Sequence, residues 1–170
     1  IEAVNDMAPL IEGFNFARLG RSPARLDIEE LKRLNKKIIQ DMSYALAAPK
    51  LKQIGLNIDE ALWLAIRGNL ETLGDAEQFV NIIAGNLTPI IHDEDRDYIA
   101  QALQLLPSAP WDDQTWGAWT KALKDLTGRK GRGLFMPLRL ALTGQEHGPE
   151  MQNLIILIGP DQVSARLAQK

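Results

Sequence analysis

Leu126-Thr127-Gly128-Arg129-Lys130-Gly131-Arg132-Gly133-Leu134-Phe135-Met136-Pro137-Leu138-Arg139-Leu140-Ala141-Leu142-Thr143-Gly144-Gln145-Glu146-His147-Gly148-Pro149-Glu150-Met151 reads as short helices separated by glycine and proline. A glycine-broken basic loop carrying Arg129, Lys130 and Arg132 leads into a helix with one inward-spaced cation, Arg139. That helix stops at Thr143-Gly144, and a new one is expected behind Gly148-Pro149. Gly159-Pro160 repeats the device. Cations on a loop beside fresh helix N-termini suit a phosphate-rich ligand, because orphan N–H groups and the helix dipole attract negative charge.

Outward from this stretch the periodicity stays helical, and no segment shows strand alternation. Asp27 is expected to N-cap a helix with Ile28, Leu31, Leu34, Ile38 and Met42 on one face, and Glu30 would complete a capping box. A second helix is expected from Pro49 to Gln53, ending near Gly55; Asp59 would cap Glu60–Arg67, and Asp75 would cap the next. Pro89 marks an expected seam between helical subdomains. His92–Asp95 would open a helix ended by Pro107, and another would run from Trp111 to Leu126 with Gly128 at C′. The pattern predicts an all-α fold, a multihelical array of roughly eight to ten short helices. Its expected parts are a tail at 1–26, one helical subdomain at 27–88 and a second at 89–170.

Composition narrows the function classes. With no cysteine, disulfides, thiolate zinc sites and cysteine nucleophiles are excluded. No apolar run approaches a membrane span, so no membrane association is expected. The chain opens Ile-Glu-Ala-Val without an initiator Met, which suggests a fragment or processed product, and its expected location is cytoplasmic. Net charge is −3, but it is segregated. Residues 18–37 hold seven Lys/Arg against three Asp/Glu, residues 121–139 six against one, and residues 59–113 two against eleven. Such segregation can present positive surface on an acidic molecule, or it can be merely solvated.

Candidate sites carry bland alternatives. The acidic run Asp93, Glu94, Asp95 and Asp97 beside His92 is read as capping and dipole chemistry needing a nearby cation, and no metal site is expected. The loop at 128–133 lacks the Gly-Lys-Ser/Thr ending of a phosphate loop. No serine lies in a nucleophile elbow, and no catalytic residue is nominated. Trp63, Trp111, Trp116 and Trp119 could stack bases, but Trp116 and Trp119, one turn apart beside Ala122 and Leu123, have the spacing of a buried stripe. Lys32, Arg33, Lys36 and Lys37 flank their helix's apolar face, with Glu29 placed to pair with Arg33. Arg139, among Leu138, Leu140, Ala141 and Leu142, must emerge at a helix edge or find a partner, and its planar fork suits phosphate or a base edge.

The chain resembles the C-terminal region of bacterial glutamyl-tRNA synthetases. The resemblance is densest in Thr127-Gly128-Arg129-Lys130-Gly131-Arg132, Leu134–Arg139, Ala141–Gly144 and His147–Glu150, and it extends to Phe14-Asn15-Phe16, Arg25-Leu26-Asp27, Leu31 and Leu34-Asn35. Leu26 stands where that family commonly has Phe. The resemblance implies the helical cage that binds the tRNA anticodon. Arg139, Gly148, Pro149 and Met151 would approach anticodon bases, while Arg129, Lys130, Arg132, Lys32 and Lys36 would hold the backbone. Residues 1–26 would contact the stem. Asn69 stands where many members carry an arginine one turn before Thr72-Leu73, with Arg67 two residues earlier.

The class I catalytic signatures are absent from the chain. The resemblance therefore implies a monomeric tRNA-recognition part, inactive and cofactor-free by itself, of a ligase that joins glutamate to tRNA-Glu (or also tRNA-Gln) using ATP and Mg²⁺. A helical scaffold that binds protein partners is the competing reading.

Overall fold

A computed structural model describes residues 4, 6–18, 20 and 27–169. The Arg25-Leu26 part of the resemblance, and most of the proposed stem-contact tail beyond residue 18, lie outside the described residues. Among the described residues the fold is all-α: ten α-helices joined by 3-10 turns, with no strand. Two compact units divide at Ala76–Glu77, ahead of the seam expected at Pro89. The difference has a packing cause. The helix beginning at Ala76 carries Phe79 and Ile82, which are buried, and the Ile82 carbonyl accepts from Arg166 far along the chain.

In the first unit, α1 (Ala8–Glu12) buries none of its residues. Helix α2 (Ile28–Asp41) starts at Asp27, whose carboxylate accepts from the N–H groups of Glu29 and Glu30 at 3.0 and 3.2 Å. Its expected apolar face is only half realised. Met42 is buried and Leu34 and Ile38 are half-buried, but Ile28 and Leu31 are exposed and the buried Ile39 lies outside the expected face, because the helix meets the rest of the unit at its C-terminal half. There the Gln40 amide donates to the Gly68 carbonyl.

Helix α3 (Tyr44–Gln53) begins earlier than expected, with Pro49 inside it. The missing proline N–H frees the Ala45 carbonyl, and Ala45 and Pro49 both lie on the solvent side, where water can satisfy it. Helix α4 (Glu60–Ile66) is capped by Asp59, which accepts from the Leu62 N–H at 2.8 Å. Fully buried Trp63 and the Arg67 guanidinium both donate to the Met42 carbonyl at 3.0 Å, tying α4 to the end of α2.

The helix expected to be capped by Asp75 starts one turn earlier. Thr72 caps a 3-10 turn, Leu73–Asp75, that runs into α5 (Ala76–Ala84). Thr72 and Asp75 form a reciprocal capping box, and the Asp75 carboxylate also accepts from the Glu71 N–H. Partial burial pushes the Asp75 carboxyl up, but the bonds from Thr72 and Glu71 outweigh it and hold the group below the usual carboxylate range.

The second unit continues through a 3-10 turn at Asp93–Asp95 into α6 (Arg96–Gln104), then α7 (Thr115–Thr127), α8 (Arg132–Thr143), α9 (Met151–Ile158) and α10 (Pro160–Leu167). Helix α7 starts later than Trp111, because Asp112 and Thr115 exchange hydrogen bonds in a turn ahead of it. Gly128 closes α7 in the left-handed conformation, as the sequence predicts. Pro160 is the first residue of α10, also as expected, whereas Pro149 precedes the Glu150 cap of α9.

Two arginines organise this unit. Arg166 is 6% exposed and donates to the carbonyls of Leu142 at 2.6 Å and Ile82, and to the Gln162 amide oxygen at 2.7 Å. Burial lowers its basicity. Arg129 lies 4.3 Å over the Tyr98 ring, pairs with Asp95 at 2.5 Å and donates to the Gly133 carbonyl at 3.2 Å. That carbonyl is the one left without its usual partner by Pro137, four residues on inside α8. The Tyr98 hydroxyl donates to the Leu134 carbonyl at 2.6 Å.

Replacing Thr72 with Ala should destabilise the chain by roughly 0.5–2 kcal/mol, read as a lower urea midpoint at unchanged slope. Tyr98 gives a second test. Burial pushes its hydroxyl up to about 12 from the ordinary value of 10.0. The folded state thus favours the neutral phenol, a contribution fully present below about pH 10 and lost as pH rises toward about 12. Urea unfolding across that window should show the loss in wild type, and Tyr98→Phe should flatten it.

Candidate nucleic-acid interface

The residues singled out around the two glycine-proline turns converge. Arg139 is half-buried on α8 and donates through one terminal nitrogen to the Pro149 carbonyl at 2.7 Å. Among the described residues this is its one protein hydrogen bond, so the other N–H groups of the fork remain unspent. Burial lowers the basicity of the guanidinium, and the nearby Glu150 carboxylate partly restores it. The helix edge expected for Arg139 therefore exists, with a backbone carbonyl for a partner in place of a buried acid.

The turn between α8 and α9 is built to bring that carbonyl to the arginine. The Thr143 hydroxyl donates to the Arg139 carbonyl at 2.7 Å and accepts from the Gln145 N–H at 3.1 Å. Gly144 closes α8 in the left-handed region. At Gly148 φ is +149°, and a Cβ there would sit 3.3 Å from the Arg139 guanidinium and 3.7 Å from the Phe79 ring. Glycine thus meets two needs at one position, an unusual φ and a close approach of backbone to the cation. Pro149 and Met151 are buried beneath the turn. The structure brings Arg139, Gly148, Pro149 and Met151 into one place.

It treats the expected backbone-holding cations unequally. Arg129 is engaged with Asp95, Tyr98 and Gly133, so its charge is largely committed to the fold. Arg132 is exposed and paired with Glu146 at 2.9 Å. Lys130 is exposed, with no carboxylate among the described residues within salt-bridge distance. In the first unit, Lys32 pairs with Glu29 at 2.8 Å, displacing the Glu29–Arg33 pair expected from spacing, and Lys36 lies 3.7 Å from Glu71. Such exposed pairs contribute about 0–1 kcal/mol and yield readily to a phosphate. Arg67 is tethered to Met42 while Asn69 is exposed, so neither reproduces a free arginine before Thr72.

The acidic run at 93–97 has the cations its reading required, since Asp93 pairs with Arg96 at 2.8 Å and Asp95 with Arg129. Among the described residues no group of three or more His, Asp or Glu is placed to hold a metal ion.

Sequence reasoning missed Phe135 and favoured the core for Trp116. Trp119 is buried as its stripe predicts, but Trp116 is only half-buried and Phe135 is 43% exposed, and both line a cavity with Arg139 and Met151. The available signal was helical spacing from the arginine. Phe135 precedes Arg139 by four residues and so shares its helix edge.

Comparison with known proteins places this geometry in context. A family profile described as an anticodon binding domain matches residues 47–170. The chain is 52% identical to glutamate–tRNA ligase 1 of Maricaulis maris over 99% of its own length, and 44% identical to glutamate–tRNA ligase 1 of Brucella ovis over 98%. It spans 37% of the length of each. Its fold matches a glutamate tRNA ligase from Elizabethkingia meningosepticum with a TM-score of 0.74 at 19% identity, covering 96% of this chain and 36% of that one. A glutamate-tRNA synthetase from Elizabethkingia anophelis gives a TM-score of 0.71 at 20% identity, with 96% and 35% covered. The profile match takes in most of α3, all of α4 to α10 and the whole Arg139–Pro149 turn, so the chain belongs to the anticodon-binding domain family.

Proposed function

We propose that this chain is the anticodon-reading part of a glutamate–tRNA ligase. Its second unit would read splayed anticodon bases through Arg139 and the Gly148–Met151 turn. The observation that carries the reading is the half-buried Arg139 fork, fixed by one bond to the Pro149 carbonyl with its other donors unspent. A preoriented arginine in a partly desolvated site gives base-edge hydrogen bonds at low entropic cost. Beside it the bare Gly148 backbone lets a base approach closely. Lys130 and Arg132, and separately Lys32 and Lys36, would neutralise phosphates and make affinity salt-dependent.

The ligase reaction itself, joining glutamate to tRNA-Glu at the expense of ATP with Mg²⁺, belongs in this reading to the rest of the protein. The 128–133 loop has no phosphate-loop ending, and among the described residues no group of three or more His, Asp or Glu is placed to hold a metal ion. The chain would work in the cytoplasm as part of a monomeric enzyme. Among the described residues no helix is long and apolar enough to cross a membrane.

The test is titration of the 170-residue chain with a tRNA-Glu transcript and with transcripts whose anticodon bases are changed one at a time, each at two salt concentrations. Wild type should bind more weakly as salt rises and should lose about 1–3 kcal/mol for a changed base that Arg139 contacts. Arg139→Lys should erase most of that discrimination. Gly148→Ala should do the same while retaining the arginine, because the added methyl crowds the guanidinium. Binding indifferent to the anticodon would overturn the proposal.

A further inference from the structure

Trp116 on α7, Phe135 and Arg139 on α8, and Glu150 and Met151 at the start of α9 line a cavity of about 230 Å³. It is smaller than the roughly 300–1,000 Å³ of pockets that take drug-sized ligands, so it suits one planar ring system. Its walls differ in kind. The Trp116 and Phe135 rings stand 6.3 Å apart with 32° between their planes. Trp116 is braced from behind by Trp119 in an edge-on contact at 5.7 Å, and Trp119 is fixed by its own bond to the Ala102 carbonyl at 3.0 Å. Met151 is buried.

The indole N–H groups separate Trp116 from the other tryptophans. Those of Trp63, Trp111 and Trp119 each donate to a backbone carbonyl. Trp116 has no such partner among the described residues, and it is the tryptophan that lines this cavity. The polar groups are likewise unspent. Arg139 uses one bond on Pro149, and Glu150, exposed at the cap of α9, has no cation among the described residues within salt-bridge distance. Arginine and glutamate therefore face one small space without pairing with each other, offering a donor and an acceptor beside two aromatic faces.

We infer that this pocket takes a single unstacked nucleobase of the RNA loop, stacked on Trp116 and Phe135, and that Glu150 selects a base whose edge sets an exocyclic amine beside a ring acceptor. The inference rests on the anticodon-reading role of Arg139 proposed above and assigns three further residues to it. The chemistry follows from base edges. Cytosine presents an N4 amine, which a carboxylate accepts, next to N3 and O2 acceptors that an arginine fork can reach. Uracil puts the O4 carbonyl where that amine would be, so carboxylate and carbonyl would meet acceptor to acceptor. Repulsion of this kind discriminates against the wrong base without adding affinity for the right one. The aromatic wall contributes affinity that does not depend on base identity, since every base has a stackable face.

The experiment uses hairpin RNAs carrying the anticodon loop, with each anticodon position set in turn to C, U, A or G. They are titrated against the 170-residue chain and its Trp116→Leu, Trp116→Phe, Phe135→Leu and Glu150→Gln variants, with thermal unfolding recorded for each. Trp116→Leu and Phe135→Leu should each weaken binding about 5- to 100-fold across all base identities. Binding should quench tryptophan fluorescence in wild type and should not do so in Trp116→Phe, which keeps a ring to stack. At one anticodon position wild type should prefer C over U, and Glu150→Gln should cut that preference about tenfold, because an amide can donate to a carbonyl as well as accept from an amine. Glu150 is exposed, so this arm stands even if a tryptophan variant unfolds. Anticodon-dependent, Arg139-dependent binding that is unchanged in all these variants would overturn the pocket and leave the proposed function standing. Absence of any anticodon-dependent binding would overturn both.

Discussion

Arg166 is the constraint on which the second unit depends. A guanidinium taken almost wholly out of water has, among the described residues, no carboxylate to offset its charge, only the carbonyls of Leu142 and Ile82 and the Gln162 amide. Those two carbonyls lie near the C-termini of α8 and α5, where helix dipoles concentrate negative potential. The Ile82 carbonyl also accepts from the Gly85 N–H at 3.3 Å, so the buried cation shares one carbonyl and takes up the other. Breaking the arrangement would leave unpaired polar groups in the core, which costs far more than losing an exposed pair. The end of α8 is thereby fixed, and the turn that delivers Pro149 to Arg139 begins at that end.

Rigidity at the interface is therefore inherited from the core. The Thr143 hydroxyl bridges α8 and the following turn, Gly144 reverses the chain, and Gly148 lets its backbone lie close to a cation. Thr143 and Gly144 have no part in contacting a ligand in the proposed reading, yet with Gly148 they shorten the search a flexible arginine would otherwise make. Preorganisation of this kind spends folding energy so that less is lost on binding.

Much of the fold was legible in the sequence. Asp27, Asp59, Gly128 and Pro160 each mark a boundary through one local mechanism, a side-chain cap, a left-handed closure or a preset φ, and each stands where it was expected. The boundaries that moved involve competing local signals. Asp75 looks like a cap but serves as the third residue of a box that Thr72 opens. Pro49 looks like a helix start but is tolerated inside α3 because its freed carbonyl faces water. The division at Ala76–Glu77 was not legible, since it depends on what α5 packs against and not on its own composition.

At the site, the turn residues were readable because glycine and proline have few reasons to occur together. The engagement of Arg129 with the fold was not readable, because nothing local reveals that Asp95 and Tyr98, distant in sequence, are its partners. Its bond to the Gly133 carbonyl has an evolutionary consequence. Proline at 137 creates the vacancy that the guanidinium fills, so the two positions are coupled. Any residue with an N–H at 137 would reclaim the carbonyl, while loss of the arginine would hand that exposed carbonyl to water but leave the buried Asp95 carboxylate without its cation. Substitution at 137 should therefore be tolerated and loss of the arginine penalised, so that drift through this loop is directional.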